Sequence, residues 1–338
     1  MIRLLENQEK IKSRPLYEHC FKEDGKEYTD YYFHHLIREN EVVVNEQDGE
    51  IVSAVHLIPK AVIAGNVKTN ITYIYGVGTW EKDRGKGYVR EIFQMILRSM
   101  FDNMDTFTYL IPSGEENALI YRTFGFEYVM DKFVMEKKEH RRKPSHSVIT
   151  RKAEDSDLVK LSIFAQQAVY GRYSVSLSKD LEYFRRIKQL VEIEGGTMDI
   201  FVNNKVIVGY RIIIDDEIFE EVLDNSIQNL SWLSKDRKPY AMARIINIRK
   251  TLRQFSFRDF KERIIKITDP VIEENNGYFK MQYHHGSVKL EKCDKENADK
   301  VDFDVTIGEL GAHIFGYKKI PGFPTVCKKD SFFIHDYV

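Results

Sequence analysis

The stretch that decides the fold is YIYGVGTWEKDRGKGYVREIF, from Tyr73 to Phe93. It reads as a strand, a bend near Gly76 and Gly78, a loop Arg84-Gly85-Lys86-Gly87, and then a helix with Tyr88, Val89, Ile92, Phe93, Ile96 and Met100 on one apolar face. Glycines let a backbone approach a ligand closely, and amides at a helix start have no intrahelical partner. Arg84 and Lys86 add positive charge, so the segment suits a pyrophosphate. It is not the three-glycine dinucleotide fingerprint. Nor is it a nucleoside-triphosphate loop, because Tyr88 stands where a metal-binding Ser or Thr would be needed.

Working outward, strand patterns run from Ile51 to Ile58, Val67 to Thr79 and Thr106 to Ile111, with helices expected at residues 8–21 and 28–38 and a strand through 42–44. The order strand, glycine turn, helix, strand predicts a mixed α/β domain. A further strand follows Met130, and the charged run Glu136 to Ser147 reads as a linker. Beyond it, VITRKAEDSDLVKLSIFAQQAVY predicts a strand and an amphipathic helix. TMDIFV and KVIVGYRIII predict paired strands joined at Asn203-Asn204, and a helix is expected at 218–229. From about residue 243 the rhythm changes: a helix from Ile248 to Phe255, a strand in ERIIKITDP, a turn in ENNGYFKMQY, and a strand running into a short helix in DFDVTIGELGAHIFGY.

A chain of 338 residues exceeds what one core needs, so two or three domains are expected. With 51 Lys plus Arg against 52 Asp plus Glu, there is no basic excess for a nucleic-acid-binding surface. The charged N-terminus and the lack of an apolar run of about eighteen residues exclude a signal peptide and a membrane span, which makes the cytoplasm the expected location. Cys20, Cys293 and Cys327 fit neither a disulfide scaffold nor a zinc pattern and read as buried thiols. The pairs His34-His35 and His284-His285 lack further ligands at metal spacing, so no metal is expected.

Lys82, Gly85 and Gly87, with Arg84 and Lys86 between them, resemble the pyrophosphate loop of the GNAT superfamily of acyl-coenzyme A dependent N-acyltransferases, Lys82 replacing the commoner Gln or Arg. SGEENALIYRTFGFEYV, Ser113 to Val129, resembles the late helix and strand of that fold. The resemblance implies acetyl-CoA as cosubstrate, held through the backbone at Val77, by Lys82 to Gly87 and by Asn117, with Ser113 as a helix cap. It also implies Tyr121 as the acid that protonates the departing thiolate; read alone, Tyr121 is equally an aromatic anchor.

The whole chain resembles the enhanced intracellular survival family of that superfamily. ARIINIRKTL at Ala243 to Leu252 and DVTIGELGAHIFGY at Asp304 to Tyr317 look like parts of its C-terminal domain. The implied architecture is α/β and α+β: a catalytic GNAT domain at 1–138, a second GNAT-like domain without a coenzyme A site at 148–240, and a sterol-carrier-protein-like domain at 242–338. The implied reaction is acetyl transfer to a primary amine such as an aminoglycoside or polyamine, with the Val338 terminal carboxylate as base. His335 and Asp336 are competing bases. Glu27, Asp30, Phe33, His34 and Trp80 are candidate acceptor walls, and a homo-oligomer, with a hexamer among the options, is implied by the family. Neither membrane nor nucleic acid is an expected partner. The alternatives are a non-catalytic coenzyme-A-binding regulator or scaffold and a lipid-binding module.

Overall fold

The computed structural model describes all residues except 66, 136–146, 259, 295–299, 327–329 and 336–338. Val338, Asp336, Cys327 and nearly all of the expected linker lie outside the described residues. The first region contains β1 (Ile2–Leu4), α1 (Arg14–Cys20), α2 (Lys26–Tyr31), β2 (Glu41–Gln47), β3 (Glu50–Ala64), β4 (Val67–Thr79), α3 (Tyr88–Asp102), β5 (Phe107–Leu110), α4 (Glu115–Arg122) and β6 (Glu127–Met135). Next come β7 (Val148–Lys152), α5 (Leu158–Val169), β8 (Tyr173–Leu177), α6 (Leu181–Ile193), β9 (Thr197–Asn203), β10 (Val206–Ile214), β11 (Glu217–Leu223) and β12 (Leu233–Ile245). The last region holds α7 (Ile248–Gln254), β13 (Arg263–Thr268), β14 (Gly277–His284), β15 (Ser287–Cys293), β16 (Phe303–Thr306), α8 (Ile307–Ile314) and β17 (Asp330–Phe333).

The principal sheet has the order β1-β2-β3-β4-β5-β12-β6, extended by β8 on β3 and β17 on β8. β11-β10-β9-β7 and β15-β14-β13-β16 form two smaller sheets. α3 and α4 cover one face of the principal sheet through a core that includes Ile74, Phe93, Leu97, Leu110, Tyr121 and Met242. The opposite face packs against α1, α2, the second region and the tail. The architecture is thus mixed α/β in the first two regions, with a smaller α+β end.

Borders along the chain are not borders in the fold. The expected division at 240 to 242 falls inside β12, a continuous strand whose residues pair with β5 (Met242 with Leu110) and β6 (Met242 with Tyr128). The first sheet is completed only after the chain has built the second region.

Two expectations about local structure also differ. The helix expected at 218–229 is the strand β11 followed by a 3-10 turn at Asn225–Leu230. Glu220 and Glu221, adjacent and buried, obscure the pattern. Glu220 is paired with Lys179 at 2.6 Å and Glu221 with Arg211, so long-range ion pairs override the usual exclusion of charge from a core strand. The expected helix at 8–21 becomes a 3-10 turn at Lys10–Ser13 and then α1, with Pro15 in the first turn where its missing N–H costs nothing.

Candidate active site

β4 and β5 pair in parallel only from Thr72–Thr108 to Ile74–Leu110. Among the described residues β4 then runs on to Thr79 with β3 as its only strand neighbour, so from Tyr75 onward its other edge faces a gap instead of a strand. At the gap Ala54 faces Gly78 and His56 faces Tyr75, so Gly76 and Val77 together oppose Val55 in a β-bulge. Gly76 has φ +56°, and a Cβ there would meet the His56 ring at 3.2 Å. Both constraints select glycine at the bend.

Beyond the gap lies the loop to α3. Gly85 (φ +78°) and Gly87 (φ +90°) adopt left-handed conformations with open space where a side chain would be. The amides of Tyr88, Val89 and Arg90 precede the first bond of α3, from Glu91 N–H to the Gly87 carbonyl at 3.1 Å, and point out of the helix end. The cations of the loop are partly committed. Lys86 donates to Asp83 at 2.7 Å, which raises its pKa, and Lys82 lies 3.7 Å from Glu50. Arg84 reaches the Thr79 carbonyl at 3.4 Å. The backbone cradle therefore stands ready for anionic oxygens, with side-chain charge at its rim.

Tyr121, from α4, stacks on Phe93 at 5.6 Å in the same core against which Val77 and Val89 pack. Among the described residues its hydroxyl makes no hydrogen bond, and burial pushes its pKa up to about 12. The turn after α4 is clamped by the C-terminal region. Gly125 has φ +83° and a Cβ on it would come within 2.7 Å of Ile307 in α8. Arg244, fully buried in β12, donates to the Phe124 carbonyl and holds Asp269 in a two-pronged pair at 2.7 Å. Asn117, by contrast, is exposed and donates to Ser113 at 2.6 Å. The expected cap at Ser113 is replaced by extended Gly114.

The candidate acceptor walls fall in different surroundings, with only Asp30 and His34 in direct contact among them. Phe33 is buried, edge-on to Tyr17 and Tyr32. Asp30 is paired with Arg14, which lowers its pKa, and His34 bonds the Asp30 carbonyl through Nδ1 at 2.6 Å. Glu27 is exposed on α2. Trp80 donates to the Ile51 carbonyl at 3.0 Å and lines a separate cavity of 530 Å³ with Arg3, Lys12 and Lys82. What faces the bulge from this side is a group that sequence reading missed: Tyr17, Tyr28, Tyr32, Tyr75 and His56. Alternating Tyr73 and Tyr75 in TYIYG was its one signal. The contributing helices are too far away in sequence for their convergence to be read.

β17 carries the chain end back to this sheet. Phe332 contacts Phe107, and the Ile334 amide points at the Met130 sulfur (3.3 Å). His335 is buried against Tyr240 at 6.1 Å and Phe333 at 5.0 Å, and its Nδ1 has no partner among the described residues. Burial lowers its pKa to about 4, with Glu220 opposing and Lys179 and Lys132 reinforcing the shift. Because the folded value lies below the ordinary 6.5, the unfolded tail takes up a proton that the docked tail refuses. Docking is strongest above pH 6.5 and weakens as pH falls toward about 4. Proteolysis after Phe332 and Phe333 should accelerate across that window, and His335→Phe should remove the dependence; an unchanged cleavage rate would contradict it.

Among the described residues no group of three His, Cys, Asp or Glu is placed to hold a metal, and no helix is long and apolar enough to cross a membrane. Residues 1–129 match the acetyltransferase (GNAT) domain family, and residues 248–322 match the sterol carrier protein domain family. The chain is similar to a probable N-acyltransferase from Enterococcus faecalis (15% identity, TM-score 0.74, 94% of this chain and 90% of that one). It is similar also to a GCN5-related N-acetyltransferase from Anabaena variabilis (15%, 0.73, 93% and 90%). A third such structure is Eis1 from Mycobacterium abscessus (11%, 0.74, 100% of both chains). At these identities the likeness is one of fold. No curated protein sequence matches the chain.

Proposed function

We propose that this chain, a GNAT acetyltransferase domain followed by a second GNAT-like region and a sterol-carrier-like domain, transfers acetyl from acetyl-CoA to a primary amine. The observation that carries the reading is the meeting of the β4–β5 gap, the glycine loop and a buried phenol in one place. The free edge of β4 at Val77 pairs with the pantetheine arm in place of the missing strand. The α3 amides, with Arg84 and Lys86, take the pyrophosphate.

A neutral amine attacks the thioester carbonyl, and the tetrahedral adduct places charge on oxygen beside the bulged backbone of Gly76 and Val77. The carbon–sulfur bond then breaks with its electron pair passing to sulfur, and Tyr121 supplies the proton. A phenol whose pKa is raised to about 12 stays protonated at neutral pH and is available to donate.

The base is the terminal carboxylate of Val338, and the course of the tail supports it. Phe332 lies at the start of β5, whereas Ile334 meets Met130, whose β12 partner Ala241 lies one residue beyond the partner of Leu110. The tail thus climbs toward the end of β5 where the gap opens. Acetyl-CoA consumption across polyamines and aminoglycosides tests the reading, and a version lengthened beyond Val338 should lose about 10²-fold in kcat. Absence of consumption with every amine would sink the reading. Full activity of the lengthened chain would remove the carboxylate from its role.

A further inference from the structure

On the face of β4 away from α3 and α4 runs a line of hydroxyls that neither the acid nor the tail uses. Tyr75 directly precedes the bulge and is partly exposed beside Phe21, Tyr17 and Tyr32. Its hydroxyl hydrogen-bonds to those of Tyr17 and Tyr28, the latter at 3.2 Å. The Tyr17 hydroxyl in turn donates to Oδ2 of Asp24, a half-buried carboxylate in the turn between α1 and α2. Each hydroxyl can donate and accept at once, so the line connects the bulge to a carboxylate at the protein surface.

The stoichiometry of the proposed reaction calls for an acceptor for one released proton. An alkylamine with the basicity of lysine, pKa about 10, arrives as an ammonium ion. Ammonium plus acetyl-CoA gives amide, coenzyme A thiol and one free proton. The nitrogen sheds two protons, one before it can attack and one from the tetrahedral adduct, while sulfur receives one. Tyr121 and the tail carboxylate account for a donor and one acceptor; the first proton still has to leave.

We propose that Tyr75, Tyr17 and Asp24 form the relay that removes it, an inference resting on the acetyltransferase reading above. The ammonium proton passes to the Tyr75 oxygen, the Tyr75 proton to Tyr17, and the Tyr17 proton to Asp24. The amine is left neutral, both phenols are left as they began, and Asp24 is left protonated until it exchanges with water. Tyr75 is the catalytic residue of the three, and Tyr17 and Asp24 act through it. Burial raises the pKa of Asp24, with Glu23 adding to the effect, which makes it a stronger base than an exposed carboxylate. Burial also keeps Tyr17, Tyr28 and Tyr75 protonated, and His56, packed on Tyr17 from β3, is held neutral with its pKa near 3.

The test compares Tyr75→Phe, Tyr17→Phe and Asp24→Asn with wild type on spermidine or kanamycin, whichever wild type acetylates faster. At neutral pH each variant should lose roughly 10- to 100-fold in kcat, at the low end of general-base effects because the tail carboxylate remains. KM for acetyl-CoA should not move. Tyr17→Phe combined with Asp24→Asn should be no worse than either alone, since one break stops the relay. The deficit should shrink as pH rises from about 7 to about 9, because hydroxide replaces the relay, a recovery that a merely structural defect would not show. Wild-type rates in the variants, or deficits that multiply and stay constant with pH, overturn the relay while leaving the acetyltransferase intact. A wild type that consumes acetyl-CoA with no amine of the polyamine and aminoglycoside panel overturns both.

Discussion

Tyr121→Phe is expected to lower kcat for acetyl transfer by about 10²- to 10⁴-fold with KM for acetyl-CoA nearly unchanged, the signature of a group that acts in the transition state rather than in binding. The substitution is mild for the fold. Phenylalanine keeps the stacking on Phe93 and the edge contact with Phe126, and the hydroxyl it removes has no hydrogen-bond partner among the described residues. Stability should therefore stay within about 0.5 kcal/mol of wild type, and the loss should appear in catalysis alone. Thiol release, followed under saturating acetyl-CoA, measures it. A variant with wild-type kcat would remove Tyr121 from the chemistry and leave it as an aromatic anchor.

The second large effect is on stability. Asp269→Ala should cost about 3–5 kcal/mol, because it leaves the Arg244 guanidinium buried without its counter-charge. Arg244 and Asp269 are both inaccessible to water, and Asp269 also accepts from the amides of Val271 and Ile272 and from Asn275. Burial alone lowers the Arg244 pKa, and Asp269 is what opposes that. Replacing both residues, Arg244→Met with Asp269→Leu, should cost less than the single change, since no charge is stranded. Denaturant titration gives both values, and a single-variant loss below about 1 kcal/mol would show that the pair does not hold the structure. Because Arg244 also grips the Phe124 carbonyl beside the turn after Tyr121, a partial loss of kcat should accompany the loss of stability.

The C-terminal region braces the turn that follows the helix carrying Tyr121. α8 fills the space beneath Gly125, and the Arg244–Asp269 pair ties the loop after β13 to the first sheet. The helix that presents Tyr121 is thus fixed from behind by residues more than a hundred positions away.

What the sequence determined by itself was local. Tyr73 to Phe93 specifies strand, bend, glycine loop and helix, because φ > 0 at Gly76, Gly85 and Gly87 and the apolar face of α3 are properties of neighbouring residues. The helix-to-strand passage around Tyr121 was legible for the same reason, because Glu115–Arg122 and Glu127–Met135 lie in one continuous segment. The tertiary structure decided everything that depends on distant chain meeting distant chain. It placed β12 between β5 and β6, made residues 218–223 of the helix expected at 218–229 a strand, and set Trp80 on a cavity apart from Asp30 and His34 while gathering Tyr17, Tyr75 and Asp24. The physical reason is that a buried charge or hydroxyl is tolerated only where its partner arrives. Lys179 for Glu220 and Asp269 for Arg244 lie 41 and 25 residues away along the chain, separations that no helical or strand period encodes, and Asp24 reaches Tyr17 only across the end of α1.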